Sequence, residues 1–367
     1  MKRYKFILSG GGTGGHIYPA IAIADEIKRR LPEAEILFVG AKGKMEMEKV
    51  PKAGYPIEGL WISGFQRSNL LANLSFPFKL MSSWFNARKI IKNFKPDATI
   101  GTGGFASGPI MWVAEQNKIP VLVQEQNSYP GITNKILKDK AFAFCTAYTG
   151  MENYFPKERV HFTGNPIRGN LFENLPEKTK AKKAFGLNPE KPVILSVGGS
   201  LGAQTLNNAW KESLNTLSEN GIQLIWQTGK PSFDELKKLA PNNENGIHIT
   251  DFIYNMQQAY AAADIIVSRA GAMAISELCL IGKPTILVPY PFAAEDHQTK
   301  NAQNLVDHQA AIMIEDKTAT ESLVKTTIDL AKDTEKQQTL GENIAKLAKP
   351  KATQEIVDIL FNHLKID

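Results

Sequence analysis

The sequence predicts an α/β protein with two domains, each built on a parallel sheet covered by helices. A length of 367 residues is typical of two domains rather than one. Short apolar segments alternate with helical segments along the chain, which is the pattern of parallel sheets. A Gly-rich loop between an apolar strand and a helix occurs twice, in RYKFILSGGGTGGH and in KPVILSVGGSLGA. Because such a loop commonly opens an α/β domain, the repeat indicates two domains in tandem.

We expect the first domain to cover residues 1–163, a linker residues 164–168, and the second domain residues 169–348. Strands of the first domain are predicted near Tyr4–Ser9, Glu35–Gly40, Ala98–Gly101, Pro120–Gln124 and Ala141–Cys145. Those of the second are predicted near Val193–Val197, Gln223–Gln227, Ile247–Ile249, Ile265–Ser268 and Thr285–Val288. Prolines, glycines and charges interrupt regular structure in the connector TGNPIRGNLFENLPEKTKAKK. A last helix, at about 350–367, is expected to pack back on the first domain.

Composition excludes several classes of protein. With 43% hydrophobic and 22% charged residues, the chain is neither disordered nor fibrous. No segment has the ~20 apolar residues of a spanning helix, and the start lacks the apolar core of a secretory signal. Two cysteines, each in an apolar segment, suggest no disulfide or metal framework. We therefore expect a cytoplasmic protein.

The net charge of +6 could serve nucleic acid, an anionic membrane surface or a phosphorylated substrate. Six basic residues and no acid lie between Gly59 and Pro96. This clustering favours an anionic membrane surface, and we expect no nucleic acid partner.

The first Gly-rich loop has the spacing of a diphosphate-binding turn. Gly10, Gly12 and Gly15 satisfy G-x-G-x-x-G, which lets backbone N–H groups and a helix N-terminus approach a diphosphate. A dinucleotide site also needs an acid at the end of the second strand. That strand ends here in LFVGA, without Asp or Glu, which argues against an NAD enzyme. Similar turns follow strands at Gly101–Pro109 and Gly198–Ala203. Three such loops at the carboxyl ends of parallel strands are expected to line a cleft.

The segment SRAGAMAISE follows an apolar strand and begins a helix. Backbone N–H groups near Ala272 and Met273 are expected to bind an anion, with Arg269 adding charge. Glu277 could bind both hydroxyls of a ribose or be a solvated helix carboxylate. The chain contains no D-x-D sequence, so we expect no metal and no cofactor.

Two residues are candidates for a general base. His16 begins a helix directly after the first Gly-rich loop, where the helix dipole favours a neutral imidazole that can accept a proton. Glu125 follows an apolar strand and is the alternative, with Asn127 beside it as a sugar or acceptor contact.

Six motifs occur in the order and spacing of the MurG family, which the whole chain resembles: SGGGTGGHIYPA, IGTGGFASGP, QEQNSYPGITNK, TGNPIR, GGSLGAQTLN, and the stretch from SRAGAMAISE to EDHQTKNA. This resemblance implies the GT-B fold, with two Rossmann-like parallel-sheet domains facing across a cleft. It also implies transfer of N-acetylglucosamine from its UDP donor to the C4 hydroxyl of the muramyl sugar of lipid I, which gives lipid II in peptidoglycan synthesis. Direct attack from the face opposite the leaving group would invert the anomeric centre without a covalent intermediate. The family often has His where this chain has Gln124, which casts doubt on an essential proton transfer there.

The resemblance also implies roles for single residues. Glu277 would bind the ribose, the backbone of Ile253 the uracil, Arg168 the donor, and Gln298 the sugar hydroxyls. Contacts to the diphosphate or sugar would come from Thr13, Gly14, Gly15 and Ser200. A UDP-N-acetylglucosamine epimerase of the same fold and a non-catalytic nucleotide-sugar sensor at the membrane are the alternatives.

A basic, partly apolar helix is the predicted membrane contact. An apolar stripe recurs at four- and three-residue spacing in Leu80, Trp84, Ala87, Ile91 and Phe94. We expect Ile91 and Phe94 to pack on the sheet, and the start of the helix to reach the membrane through Phe76, Phe78, Met81 and Trp84. The protein would then be peripheral, on the cytoplasmic face of the inner membrane.

Overall fold

The computed structural model describes residues 2–64, 74–167, 175–199, 201–240 and 244–366. The chain divides into two compact units, one of residues 1–168 and 349–367 and the other of residues 169–348. Residues 164–167, predicted as linker, lie in the first unit, where Thr353 Oγ1 donates a hydrogen bond to the backbone oxygen of Ile167 at 3.1 Å.

The first unit is built on a parallel sheet whose described strands have the order β3-β2-β1-β4-β5-β6-β7. The strands are β1 Lys5–Gly10, β2 Glu35–Ala41, β3 Ile57–Leu60, β4 Ala98–Gly103, β5 Val121–Glu125, β6 Ala143–Thr146 and β7 Val160–Phe162. The helices are α1 Gly14–Arg30, α2 Glu46–Lys52, α3 Phe76–Phe94, α4 Ser107–Gln116, α5 Ile132–Ile136 and, from the end of the chain, α15 Ala352–Leu364.

Apolar residues cover both faces of this sheet, because its central strands are apolar on both sides. One core cluster joins α1 to α15 through residues such as Ile21 and Leu360. The other joins α3 to α4 through residues such as Ile91 and Ile110. Arg30 of α1 pairs with Asp358 of α15, so the last helix completes the core of the first unit.

The second unit repeats the design, with described strands in the order β10-β9-β8-β11-β12-β13, all parallel. The strands are β8 Val193–Val197, β9 Gln223–Gln227, β10 Ile247–Thr250, β11 Ile265–Ser268, β12 Thr285–Leu287 and β13 Ile312–Met313. The helices are α6 Lys178–Ala184, α7 Gln204–Lys211, α8 Leu214–Glu219, α9 Lys230–Leu236, α10 Met256–Ala262, α11 Ala272–Ile281, α12 His297–Asp307, α13 Asp316–Lys332 and α14 Thr334–Lys346.

The predicted class, α/β with two parallel-sheet domains, is confirmed. The sequence missed three strands, β3, β7 and β13, all at sheet edges. They have only four, three and two residues, so none has an apolar run that separates it from a loop. The central strands bring the loops that follow them close together within each unit. In the first sheet β1, β4 and β5 are neighbours, and in the second β8, β11 and β12 are neighbours.

Candidate functional site

The two Gly-rich loops of the first unit touch each other. They follow β1 and β4, which are paired neighbours, and the backbone N–H of Gly11 donates to the oxygen of Gly103 at 3.3 Å. Gly104 has φ of +85°, and a Cβ there would lie 2.3 Å from the oxygen of Gly11. Only glycine permits this approach, so the loops form one surface at the carboxyl edge of the sheet.

His16 lies on this surface, in the first turn of α1. Its Nδ1 lies 3.0 Å from the backbone oxygen of Gly11, and a carbonyl can only accept, so Nδ1 carries the proton. In a neutral ring the lone pair is then on Nε2. A Cβ added to Gly103 would lie 3.0 Å from Nε2, so the ring edge packs against the Gly103 backbone. Thr13, Gly14 and Gly15 form the turn before His16, and the Thr13 side chain makes no capping bond to the N-terminus of α1.

Glu125, the alternative base, is buried and has four donors. Its Oε1 accepts from the backbone N–H of Asn127 at 3.0 Å and from its Nδ2 at 3.3 Å. Its Oε2 accepts from the N–H of Gly131 at 3.0 Å and from Nδ2 of Asn134 at 2.8 Å. Both oxygens therefore hold the loop after β5 in place, and Asn127 is drawn toward Glu125.

Gln124, where the family often has His, is fully buried. Its Nε2 donates to Oδ1 of Asn165 at 2.9 Å, and Nδ2 of Asn165 donates to the backbone oxygen of Gln126 at 3.1 Å. These bonds tie the QEQN motif to the TGNPIR motif. The side chain at this position thus has a structural role that an amide fulfils.

Sequence reasoning missed Glu46, the first residue of α2. Its buried carboxylate accepts from the N–H of Gly12 at 3.0 Å and from that of Ala41 at 2.9 Å. A Cβ at Gly11 would lie 2.2 Å from Oε1 of Glu46, and one at Gly40 would lie 2.5 Å from its Cγ. Two glycines facing one position were the only signal of a buried side chain there.

In the second unit, α11 begins with backbone geometry suited to an anion. Gly271, which has no side chain to cap the helix, precedes it with extended φ and ψ, and no acid lies in the first turn. The N–H groups of Ala272 and Met273 are in that turn. The expectation that Arg269 adds its charge is not met. Its guanidinium pairs with Asp316 and donates to the backbone oxygens after β12, so its charge is balanced.

Glu277 lies in the second turn of α11 and is half-buried. Tyr260 Oη of α10 donates to its Oε2 at 2.9 Å. Burial raises the pKa of Glu277, and the Tyr260 hydrogen bond acts in the opposite direction. The structure thus gives this carboxylate a defined orientation on the side of the helix.

Two side-chain amides, those of Gln298 and Gln227, form hydrogen bonds with the backbone near the other predicted donor contacts. Gln298 Oε1 accepts from the N–H of Ala270 at 3.2 Å and of Tyr290 at 2.9 Å. Buried Gln227, which sequence reasoning missed, donates to the oxygen of Gly199 at 2.8 Å and accepts from the N–H of Ile253 at 3.3 Å. It links the third Gly-rich loop to the predicted uracil contact.

Two predicted contacts, Arg168 and Ser200, lie outside the described residues.

Comparison with known proteins gives consistent matches in both units. Residues 6–146 match the N-terminal domain of glycosyltransferase family 28, and residues 193–356 match its C-terminal domain. The chain is 51% identical to a protein of Cytophaga hutchinsonii, over 100% of this chain and 98% of the relative. It is 54% identical to one of Phocaeicola vulgatus, over 94% and 92%. Both are named UDP-N-acetylglucosamine–N-acetylmuramyl-(pentapeptide) pyrophosphoryl-undecaprenol N-acetylglucosamine transferase.

Solved structures agree with this. The crystal structure of Acinetobacter baumannii MurG is similar with a TM-score of 0.78 and 28% identity, over 98% of this chain and 100% of that one. A putative UDP-N-acetylglucosamine 2-epimerase from Listeria monocytogenes has a TM-score of 0.73 at 12% identity, over 100% and 98%, and shows the shared fold alone.

Proposed function

The chain belongs to the MurG family within glycosyltransferase family 28, and from this membership we propose that it transfers N-acetylglucosamine from UDP-N-acetylglucosamine to the C4 hydroxyl of the muramyl sugar of lipid I, forming lipid II. The observation that carries the proposal is identity of about half of all residues, along the whole chain, to relatives named for this reaction.

In the proposed mechanism His16 is the general base. Nε2 takes the proton of the C4 hydroxyl as its oxygen bonds to the anomeric carbon of the donor sugar. The bond from that carbon to UDP breaks, and the electron pair leaves with the diphosphate. The backbone N–H groups of Ala272 and Met273 stabilise the charge on the diphosphate. Attack opposite the leaving group inverts the anomeric centre, and no metal takes part.

His16 is preferred to Glu125 because of their hydrogen bonds. The contact of His16 Nδ1 with the Gly11 oxygen puts the ring proton on Nδ1 and makes Nε2 the nitrogen that can accept a proton, whereas both oxygens of Glu125 hold its own loop. On the donor side, Glu277 binds the ribose, Ile253 the uracil and Gln298 the sugar. The Nε2 of Gln298 donates to no residue in the described part of the chain, while its Oε1 is held by two backbone N–H groups.

Radiolabelled UDP-N-acetylglucosamine and a lipid I analogue test the activity. We expect label in a disaccharide lipid with a β linkage. An epimerised sugar nucleotide would instead identify an epimerase, and binding without turnover would identify a sensor.

The base is tested by substitution. His16→Ala should lower kcat by ~10²–10⁴, the usual contribution of a general base. His308→Ala is the matched control, because His308 is exposed and its Nδ1 also contacts a backbone oxygen, that of Asn304 at 2.7 Å. A His16→Ala enzyme with wild-type kcat and pH profile would exclude His16 as the base.

We propose further that the first unit binds an anionic membrane surface on the cytoplasmic face of the inner membrane. No helix in the described residues is long and apolar enough to span a membrane. On α3, Phe78, Met81 and Phe85 are 64%, 56% and 60% exposed. Basic residues accompany them on the same helix: Lys79, Arg88, Lys89 and Lys92.

One part of the expected membrane surface is corrected. Trp84 packs against the core cluster that contains Ile91, and Arg88 lies over its ring at 4.7 Å. Phe85, one position on, faces outward instead, because helical geometry turns neighbouring residues by 100°. Membrane contact is therefore assigned to Phe78, Met81 and Phe85, and the expected contact of Phe76, which is half-buried at the start of α3, stays a prediction.

Sedimentation with vesicles tests this surface. Replacing both Phe78 and Phe85 with Ser should weaken binding to phosphatidylglycerol vesicles at least about tenfold, since each inserted side chain contributes up to ~1.5–3 kcal/mol. Leu239→Ser, at an exposed apolar residue of the second unit, is the control. Turnover of a soluble short-chain acceptor should be unchanged. Unaltered vesicle binding by the double variant would refute the assignment.

A further inference from the structure

Tyr260 is a buried tyrosine whose hydroxyl forms a hydrogen bond with a carboxylate. It lies on α10, is 4% exposed, and packs in the core cluster that includes Ile253 and Ile275. Its hydroxyl donates to Oε2 of Glu277, 17 positions later on α11, at 2.9 Å. Because packing leaves the ring little freedom, the hydroxyl holds that oxygen in one direction.

The backbone beneath Tyr260 is also fixed. Lys283 Nζ donates to the backbone oxygens of Tyr260, Ala261 and Ala263, where α10 ends. A cation at the carboxyl end of a helix is favourable and satisfies oxygens that have no partner within the helix. Tyr260 is thus anchored through both its ring and its main chain.

We propose that Tyr260 is a positioning residue for the donor's ribose: its hydroxyl occupies Oε2 of Glu277 and thereby presents Oε1 to the ribose hydroxyls. This inference rests on the proposed function, in which Glu277 binds the ribose. Within the described residues only Oε2 of Glu277 accepts a hydrogen bond, so Oε1 is the oxygen left for the nucleotide.

The charge of Glu277 depends on the same bond. Burial raises the pKa of Glu277, and the Tyr260 hydrogen bond opposes that rise. An ionised carboxylate accepts from two hydroxyls, whereas a protonated one would have to donate with one of its oxygens. Tyr260 therefore favours the form of Glu277 that can bind both ribose hydroxyls.

Calorimetric titration with two nucleotides tests the proposal. Tyr260→Phe keeps the ring and the core volume and removes only the hydroxyl. We expect it to weaken binding of UDP about tenfold, the effect of a lost hydrogen bond to a charged group, and to leave binding of 2′,3′-dideoxyuridine diphosphate unchanged. Tyr55→Phe, which removes a similar bond to Asp25 at 2.7 Å in the first unit, should leave both affinities unchanged.

The outcomes separate this proposal from the proposed function. If Glu277→Ala binds UDP as the wild type does, the ribose assignment itself is wrong. If Glu277→Ala weakens UDP binding and Tyr260→Phe does not, only the positioning role of Tyr260 is wrong. If Tyr260→Phe weakens both nucleotides equally, its effect is general damage to the unit, which also overturns the role. Adding Tyr260→Phe to Glu277→Ala should cause no further loss.

Discussion

Replacing Glu46 with Gln tests how the first Gly-rich loop is held. The buried carboxylate accepts hydrogen bonds from the N–H of Gly12 in the loop and from the N–H of Ala41 at the end of β2, at 3.0 and 2.9 Å. The Gln amide has the same shape, but it has one acceptor oxygen and an NH2 group that faces the second N–H. One backbone donor is left buried without a partner.

The magnitude follows from these two bonds. A hydrogen bond to a charged acceptor contributes ~1.5–3 kcal/mol and a neutral one ~0.5–1.5 kcal/mol, and a buried unpaired donor costs ~1–3 kcal/mol. The free energy of unfolding of the first unit should therefore fall by about 3–4 kcal/mol. For a unit of this size the unfolding midpoint should fall by roughly 6–16 °C.

Differential scanning calorimetry measures this change. UDP should raise the transition of the unit that binds it, which identifies the other transition as that of the first unit. Glu48→Gln is the matched control, because Glu48 lies on the same helix, is exposed and forms surface ion pairs with Lys49 and Lys52. An equal midpoint for the Glu46→Gln and Glu48→Gln variants would refute the role of Glu46.

Three further predictions follow from single contacts. Gly103→Ala should lower kcat about a hundredfold with little change in the donor KM, because the new Cβ would displace the His16 ring. Steady-state kinetics measure both parameters. Burial lowers the pKa of Lys283 from 10.5 to about 8. Above about pH 8 the unfolded chain therefore binds a proton that the folded chain lacks, so the free energy of unfolding rises with pH up to 10.5. Lys283→Met should lose this gain, about 2 kcal/mol between about pH 8 and 9.5 in urea unfolding. Gln227→Leu should weaken UDP binding about tenfold in calorimetry, since it removes two hydrogen bonds to backbone segments of the proposed donor site.

Local pattern was sufficient to predict much of this protein. The central strands are apolar runs next to Gly-rich turns, so the sequence alone predicted two parallel-sheet domains and the loops at their carboxyl ends. Helix geometry is also local, which is why SRAGAMAISE was sufficient to predict that a helix begins near Ala272, where we propose an anion site. Resemblance in six ordered motifs added the family and, with it, the expected donor and acceptor.

Tertiary structure decided which side chains are available for chemistry. Glu125 and His16 both follow Gly-rich or apolar segments, and only the structure shows that four donors surround the carboxylate of Glu125. Glu46 lies 34 positions from Gly12, and Tyr260 lies 17 positions from Glu277. A hydrogen-bond partner brought from a distant segment leaves no periodic signal in the sequence, whereas an apolar strand or a helix start does. Only the folded structure therefore distinguishes His16, the proposed base, from Glu125, whose carboxylate holds its own loop.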